Sequence, residues 1–73
     1  MMPITMAKAG ENLVIRKITG REVVRQHLAV LGFVVDGEVT VVNEIAGNII
    51  LQVKDSRIAL SRAIAECIMV CEK

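Results

Sequence analysis

The sequence predicts a small, mainly β domain, an antiparallel barrel of about five strands with one α-helix inserted after the first strand. Several short segments rich in valine and isoleucine alternate apolar and polar residues with the period of two that half-buried strands show. Only one segment has helical period. Because the chain has 73 residues and 53% apolar side chains, we expect one core and a single domain over residues 1–73.

The helix is predicted over Arg21–Leu31. Its apolar residues Val24, Leu28 and Leu31 lie at positions i, i+4 and i+7, which is the spacing of one buried stripe. Gly32 follows, and a glycine in this place can adopt the left-handed conformation that ends a helix. We therefore expect an amphipathic helix of about three turns. Two further valines, Val23 and Val30, are expected to widen its buried face.

The strands are separated by residues that favour turns. Ala46-Gly47-Asn48 predicts the turn of a hairpin, since glycine and asparagine tolerate positive φ. Asp55-Ser56 marks the next turn. Ser61 can cap a single helical turn that ends at Ile64. The predicted strands are Leu13–Ile18, Glu38–Val42, Ile49–Lys54, Arg57–Leu60 and Cys67–Val70.

Composition argues against nucleic acid and membrane as direct partners. The net charge is only +1, and the one aromatic residue, Phe33, leaves nothing on which successive bases could stack. The longest stretches without a charged residue are Gln26–Val35 and Ile45–Val53, well short of the roughly 18–20 apolar residues that span a bilayer. The N-terminus lacks the pattern of a secretory signal, so we expect a cytoplasmic protein that does not insert into a membrane.

Catalysis has no residues to support it. A nucleophilic triad would need the single histidine, His27, to leave the apolar side of its helix, and Ser56 and Ser61 both lie in turns. The glycines are dispersed, so consecutive amides cannot form a phosphate-binding loop. We expect that the chain is not an enzyme.

A metal site has three weak candidate ligands, Cys67, Cys71 and His27. On a strand, Cys67, Met69 and Cys71 would share one face. Their sulfur atoms suit copper(I) or zinc better than ferrous iron, and C-x-x-x-C is not the spacing of a structural zinc site. We therefore expect free thiols in the barrel wall, His27 packed or hydrogen-bonded on its helix, and no resident cofactor. Weak binding of a divalent metal, Fe(II) or Zn(II), stays open.

The order of the segments resembles a known family. LVIRKITG, VRQHLAVLGF, EVTVV and RIALSRAIAECIMV follow one another over Pro3–Val70 with the spacing of the ferrous iron transport protein A (FeoA-like) family. The chain is similar to these free-standing domains over nearly its whole length. The residues that carry the pattern, or supply its flexible position, are Leu28, Leu31, Gly32, Phe33, Gly37, Ala59, Leu60, Ile68 and Val70.

The resemblance implies an SH3-like barrel and a non-enzymatic accessory role in ferrous iron uptake, exercised by contact with the membrane transporter FeoB, a GTP-binding protein with a cytoplasmic domain. Similar domains also form the C-termini of iron-dependent repressors, which leaves a free-standing regulatory domain of that kind as one alternative. A metal-binding sensor or chaperone is the other. A barrel of this shape need not bind the same ligand as its relatives.

A partner-binding surface is expected from charge and from strand parity. Four basic residues lie in the first predicted strand, the turn that follows it and the outer face of the helix, and they could face an acidic partner. The predicted strands contain too many valines and isoleucines for all of them to point into a small barrel. An outward apolar patch would bind FeoB or a second copy of the chain. The outward apolar candidates include Val42 and Ile45. The predicted contact residues are Arg16, Lys17, Arg21, Arg25, Ile50 and Met69.

Overall fold

One antiparallel sheet of six strands, strongly bent into a barrel, forms the body of the molecule. The computed structural model describes all 73 residues and measures 28 × 27 × 23 Å. The strand order in the sheet is β1-β6-β2-β3-β4-β5. A 3-10 turn spans Ile4–Met6. The elements are β1 (Met2–Pro3), β2 (Asn12–Ile18), α1 (Glu22–Leu31), β3 (Glu38–Ile45), β4 (Asn48–Val53), β5 (Ser56–Ser61), α2 (Arg62–Ala65) and β6 (Ile68–Glu72).

The predicted fold class is confirmed, with two differences in the strands besides shifts of one or two residues at strand ends. The additional strand, β1, has only two residues and pairs with β6, so it is too short to show a period in the sequence. The strand predicted to end at Val42 continues to Ile45 as β3. An extra residue between Val41 and Asn43 shifts the register there, which interrupts the alternation that the prediction relied on.

The core is entirely apolar. Fourteen residues are buried, none of them polar or charged, and no buried side-chain nitrogen or oxygen lacks a partner. The buried residues are Ile4, Leu13, Ile15, Leu28, Phe33, Val39, Val41, Ile49, Leu51, Val53, Leu60, Ala65, Ile68 and Val70. Among the residues of the family pattern that are not buried, Leu31, Gly32 and Gly37 are half-buried and Ala59 is exposed.

The end of α1 is built as its sequence predicts. Gly32 has φ 106° and terminates the helix, and its N–H donates to the Ala29 carbonyl at 3.0 Å. The N–H of Phe33 donates to the Leu28 carbonyl at 2.9 Å, which completes a Schellman motif. Phe33 and Leu28 are both fully buried. This motif fixes the direction in which the chain leaves the helix.

The width of the buried face of α1 was wrongly predicted. Val23 is 76% exposed and Val30 85%, and His27 between them is exposed, not packed. At about 100° per residue, these three positions lie roughly 100° around the helix from the stripe that contains Leu28. A helix of ten residues that touches the barrel along one stripe leaves the neighbouring stripe in solvent.

The two hairpin turns contain two residues each. Ala46 and Gly47 both have positive φ, at 51° and 81°, as a type I′ turn requires. In the second hairpin the turn residues are Lys54 and Asp55, with Lys54 at φ 53°, so Ser56 already belongs to β5. Both turns lie at or beside the predicted positions.

The short helix α2 begins as predicted. The Oγ of Ser61 accepts a hydrogen bond from the N–H of Ile64 at 3.3 Å. Ala65, at its end, is buried in the core. Neither α2 nor the longer α1 has the length and hydropathy that would let it cross a membrane.

Candidate partner-binding surface

The most unusual surface of the molecule is the outward side of α1. Val23, His27 and Val30 lie at i, i+4 and i+7 and form one exposed stripe. Two more valines, Val34 at 44% and Val35 at 53% exposure, follow the end of the helix. We call these five residues the α1 face. Exposed apolar side chains grouped in this way are typical of a contact surface.

The start of α1 is held firmly against the barrel. Arg25 Nη1 donates to the Gly20 carbonyl at 2.7 Å. Gly20 has φ 95°, and a Cβ there would lie 3.0 Å from the Sγ of Cys67. Thr19 donates its N–H to the Cys67 carbonyl at 2.7 Å, so the loop before the helix is tied to the segment that leads into β6. The α1 face is therefore presented on a fixed helix.

The basic residues predicted to bind a partner are all exposed, for a reason that the sequence did not reveal. Arg16 is the extra residue of a bulge in β2, where Ile15 pairs with Val70 and Lys17 with Met69. The bulge breaks the alternation, so Arg16 and Lys17 both reach solvent although they are adjacent.

The four basic side chains differ in the partners that they have within the chain. Arg16 forms an ion pair with Asp36 at 3.0 Å, and Arg25 is engaged with the Gly20 carbonyl. The side chains of Lys17 and Arg21 make no hydrogen bond or ion pair within the chain, and Arg21 lies at the N-cap of α1. Lys17 and Arg21 are thus the two of the four basic residues whose side chains have no partner within the chain.

The apolar candidates of the sheet do not form one patch. Ile50 lies on β4 and Met69 on β6, with β2 and β3 between these strands in the sheet. Both are half-buried. Val42 is also half-buried, whereas Ile45 is 56% exposed at the end of β3. The α1 face exposes more apolar surface than any of these positions, although the sequence predicts Val23 and Val30 for the buried side of the helix and does not mark Val34 and Val35 as contact residues.

The three candidate metal ligands are not assembled into a site. Cys67 precedes β6 and does not belong to it, so it does not continue the strand face of Met69 and Cys71. Both thiols are free and half-buried, and no group of three histidine, cysteine or carboxylate side chains is placed to hold a metal ion. His27 lies on the α1 face.

A shallow groove of about 500 Å³ lies beside the α1 face, where the loop after the helix meets β3 and β4. Two carboxylates at this groove already have cationic partners: Asp36 contacts Arg16, and Glu38 contacts Lys73 at 2.6 Å. The groove is half polar in its lining and open, which suits an extension of a protein contact better than an enclosed small-molecule site. Its lining residues are Gly32, Val34, Asp36, Gly37, Glu38, Val39, Thr40, Gln52, Val53 and Lys54.

Comparison with known proteins identifies the family. A family model described as the FeoA domain matches residues 2–72. The chain belongs to the FeoA family. An Fe(2+) transport protein A of Methanocaldococcus jannaschii is 33% identical over 70 residues, which cover 96% of this chain and 85% of that protein. The FeoA family is a ferrous iron transport accessory family and is not known for catalysis.

Solved structures share the fold. A crystal structure of an iron uptake regulatory protein, FeoA, superposes with a TM-score of 0.89 at 26% identity and covers 99% of this chain and 96% of its own. A manganese-dependent transcriptional repressor superposes with a TM-score of 0.87 at 19% identity over 97% of this chain. This chain spans only 41% of that repressor, so the likeness shows a shared barrel.

Proposed function

We propose that this FeoA-family chain is a cytoplasmic accessory protein of ferrous iron uptake that binds the cytoplasmic domain of a FeoB-type transporter through its α1 face. The observation that supports this most directly is the exposure of Val23 and Val30 on a helix anchored to the barrel. Family membership supports the link to ferrous iron transport.

The energetics of such a contact are favourable for a small protein. Full burial of one exposed valine contributes about 1.5–3 kcal/mol, and the α1 face offers four valines. Because α1 is already fixed in position, little conformational entropy is lost when a partner covers it. Lys17 and Arg21, which are unpaired, would favour a partner with negative charge near its binding groove and would accelerate the encounter.

The proposed mechanism is a docking event that shifts the transporter between conformational states. Such a shift requires that the protein bind one state more tightly than the other, and the equilibrium can shift by no more than this difference in binding free energy. For a GTP-binding cytoplasmic domain, the two states to compare are the GTP-bound and GDP-bound forms. We expect different affinities for the two.

The test is a calorimetric titration of the chain against the purified FeoB cytoplasmic domain in each nucleotide state. Val30→Glu places a charge in the centre of the contact and should weaken binding about tenfold or more. Met6→Glu is the matched control, since Met6 is a strongly exposed apolar residue in the 3-10 turn, and this variant should bind as the natural chain does. Absence of binding in both states, or equal effects of the two substitutions, would contradict the proposal.

Charge reversal tests the cationic residues separately. Arg21→Glu removes an unpaired cation and should weaken the contact, mainly through a slower association rate. The weakening should diminish as salt is added, because salt screens exposed charges. An association rate equal to that of the natural chain would show that Arg21 does not take part in the contact. The Val30→Glu variant would still test the α1 face.

A second candidate function is that of a free-standing regulatory domain of the repressor type, which the barrel shared with a manganese-dependent transcriptional repressor favours. Its partner would then be a DNA-binding protein that lacks a barrel of its own. Co-purification of such a protein, together with no binding to the FeoB domain, would decide for this candidate.

A further inference from the structure

The two edges of the sheet are protected very differently. The edge strand β1 has two residues and ends in Pro3, which cannot donate a hydrogen bond to an added strand. The other edge strand, β5, has six residues, pairs with β4 without a bulge, and contains neither proline nor lysine. Its one charged residue, Arg57, is held by Gln52 at 3.1 Å. Such an edge is open to a further strand.

The register shows which backbone groups of β5 are free. Val53 and Ser56 close the two-residue turn, so Ser56 and every second residue after it exchange hydrogen bonds with β4. The N–H and C=O groups of Arg57 and Ala59 therefore point away from the sheet. No backbone hydrogen bond from a turn or loop reaches either residue. Four polar groups on one short strand are left to solvent.

We propose that a second copy of this chain adds to this edge, with the two β5 strands antiparallel about a two-fold axis at Ile58. Arg57 then pairs with Ala59 of the second copy, and the same pair repeats across the axis, which gives four backbone hydrogen bonds. Ile58 is half-buried on the inner side of the sheet at this edge and meets its own counterpart.

The sequence of β5 fits pairing with itself. Centred on Ile58, the strand places Arg57 opposite the small Ala59, whereas an axis at Arg57 would set two like charges directly opposite each other. The antiparallel arrangement also brings Asp55, which has no ion pair within its own chain, beside Ser61-Arg62 of the second copy, where the Arg62 guanidinium already contacts Glu44 and could contact Asp55 as well. The other residue of this turn, Lys54, lines the groove beside the α1 face.

Sedimentation equilibrium over a concentration series tests the proposal. Ala59→Pro removes one free N–H from each strand, and its own position tolerates proline because that N–H has no partner within the chain. We expect this substitution to weaken dimerisation about tenfold or more. Ala59→Ser keeps the N–H and serves as the matched control, with dimerisation close to that of the natural chain. Unchanged circular dichroism establishes that both variants fold.

A disulfide trap tests the register. In a background with Cys67→Ser and Cys71→Ser, Ile58→Cys should cross-link on mild oxidation, because the two residues at the axis form a non-hydrogen-bonded pair with Cα atoms about 4.5 Å apart, within the range that a disulfide spans. Ser56→Cys is the control. In the proposed dimer the two cysteines introduced at position 56 would lie four residues apart along the strand direction, roughly 13 Å, which no disulfide can bridge.

The outcomes separate this proposal from its alternatives. A concentration-dependent dimer that Ala59→Pro weakens and Ile58→Cys traps supports it. A chain that stays monomeric over the whole series overturns it, even if the edge binds an extended peptide of another protein. Dimerisation equally strong in Ala59→Pro, or equal cross-linking of Ser56→Cys, also overturns it. None of these results depends on binding to FeoB, which uses the α1 face.

Discussion

Single residues decide where α1 stops and how the chain continues from it. Gly32 ends the helix at φ 106°, a conformation that residues with a Cβ rarely adopt, and a Cβ there would lie 3.1 Å from Val53. Gly37, five residues later, is required for a different reason: a Cβ would lie 2.9 Å from the carbonyl oxygen of Val34. Both glycines thus shape the segment that carries Val34 and Val35.

Gly32→Ala should therefore destabilise the fold more than an alanine at an uncrowded glycine. We expect a loss of about 1–3 kcal/mol in the free energy of unfolding, measured by urea denaturation. Gly10→Ala is the matched control, since Gly10 also has positive φ, at 90°, but has no atom near the site of a Cβ. The difference between the two variants measures the contact with Val53. Equal losses would show that this contact relaxes without cost.

At the scale of elements, periodicity predicted which segments form but not how each is oriented. The helix, its stop at Gly32 and the turn at Ala46-Gly47 were all predicted, because each depends on neighbours in sequence. The exposure of Val23 and Val30 was not, since it depends on how much of the helix surface the barrel can cover. The bulge at Arg16 likewise arises from pairing with β6 and has no signal in β2 alone. Long-range pairing therefore sets the candidate surface.

The two stripes of α1 should respond differently to truncation. Leu28→Ala removes a fully buried side chain and should cost about 2–5 kcal/mol of unfolding free energy. Val30→Ala removes a side chain that is 85% exposed and should stay within about 0.5 kcal/mol of the natural chain. Chemical denaturation of both variants checks this. A large loss for Val30→Ala would mean that the α1 face belongs to the core of the free protein.

At the scale of the whole molecule, the core and the α1 face use different apolar residues. The core holds the barrel together with no buried polar group, and the three ion pairs all lie at the surface, where each contributes about 0–1 kcal/mol. The α1 face and the open edge of β5, which carries the free backbone groups of Arg57 and Ala59, both lie outside this core. The α1 face and the β5 edge have no residue in common, so we expect the two surfaces to be occupied independently.

We therefore predict that binding of the FeoB domain at the α1 face and dimerisation through β5 do not affect each other. Val30→Glu should abolish or weaken binding to the FeoB domain and leave the dimerisation constant within about twofold, whereas Ala59→Pro should do the reverse. Measuring both equilibria for both variants and for the double variant completes a thermodynamic cycle, in which the two effects should add. If Val30→Glu also weakened the dimer, α1 and β5 would share one interface, and the exposed valines would be covered by a second copy of the chain before any transporter reached them.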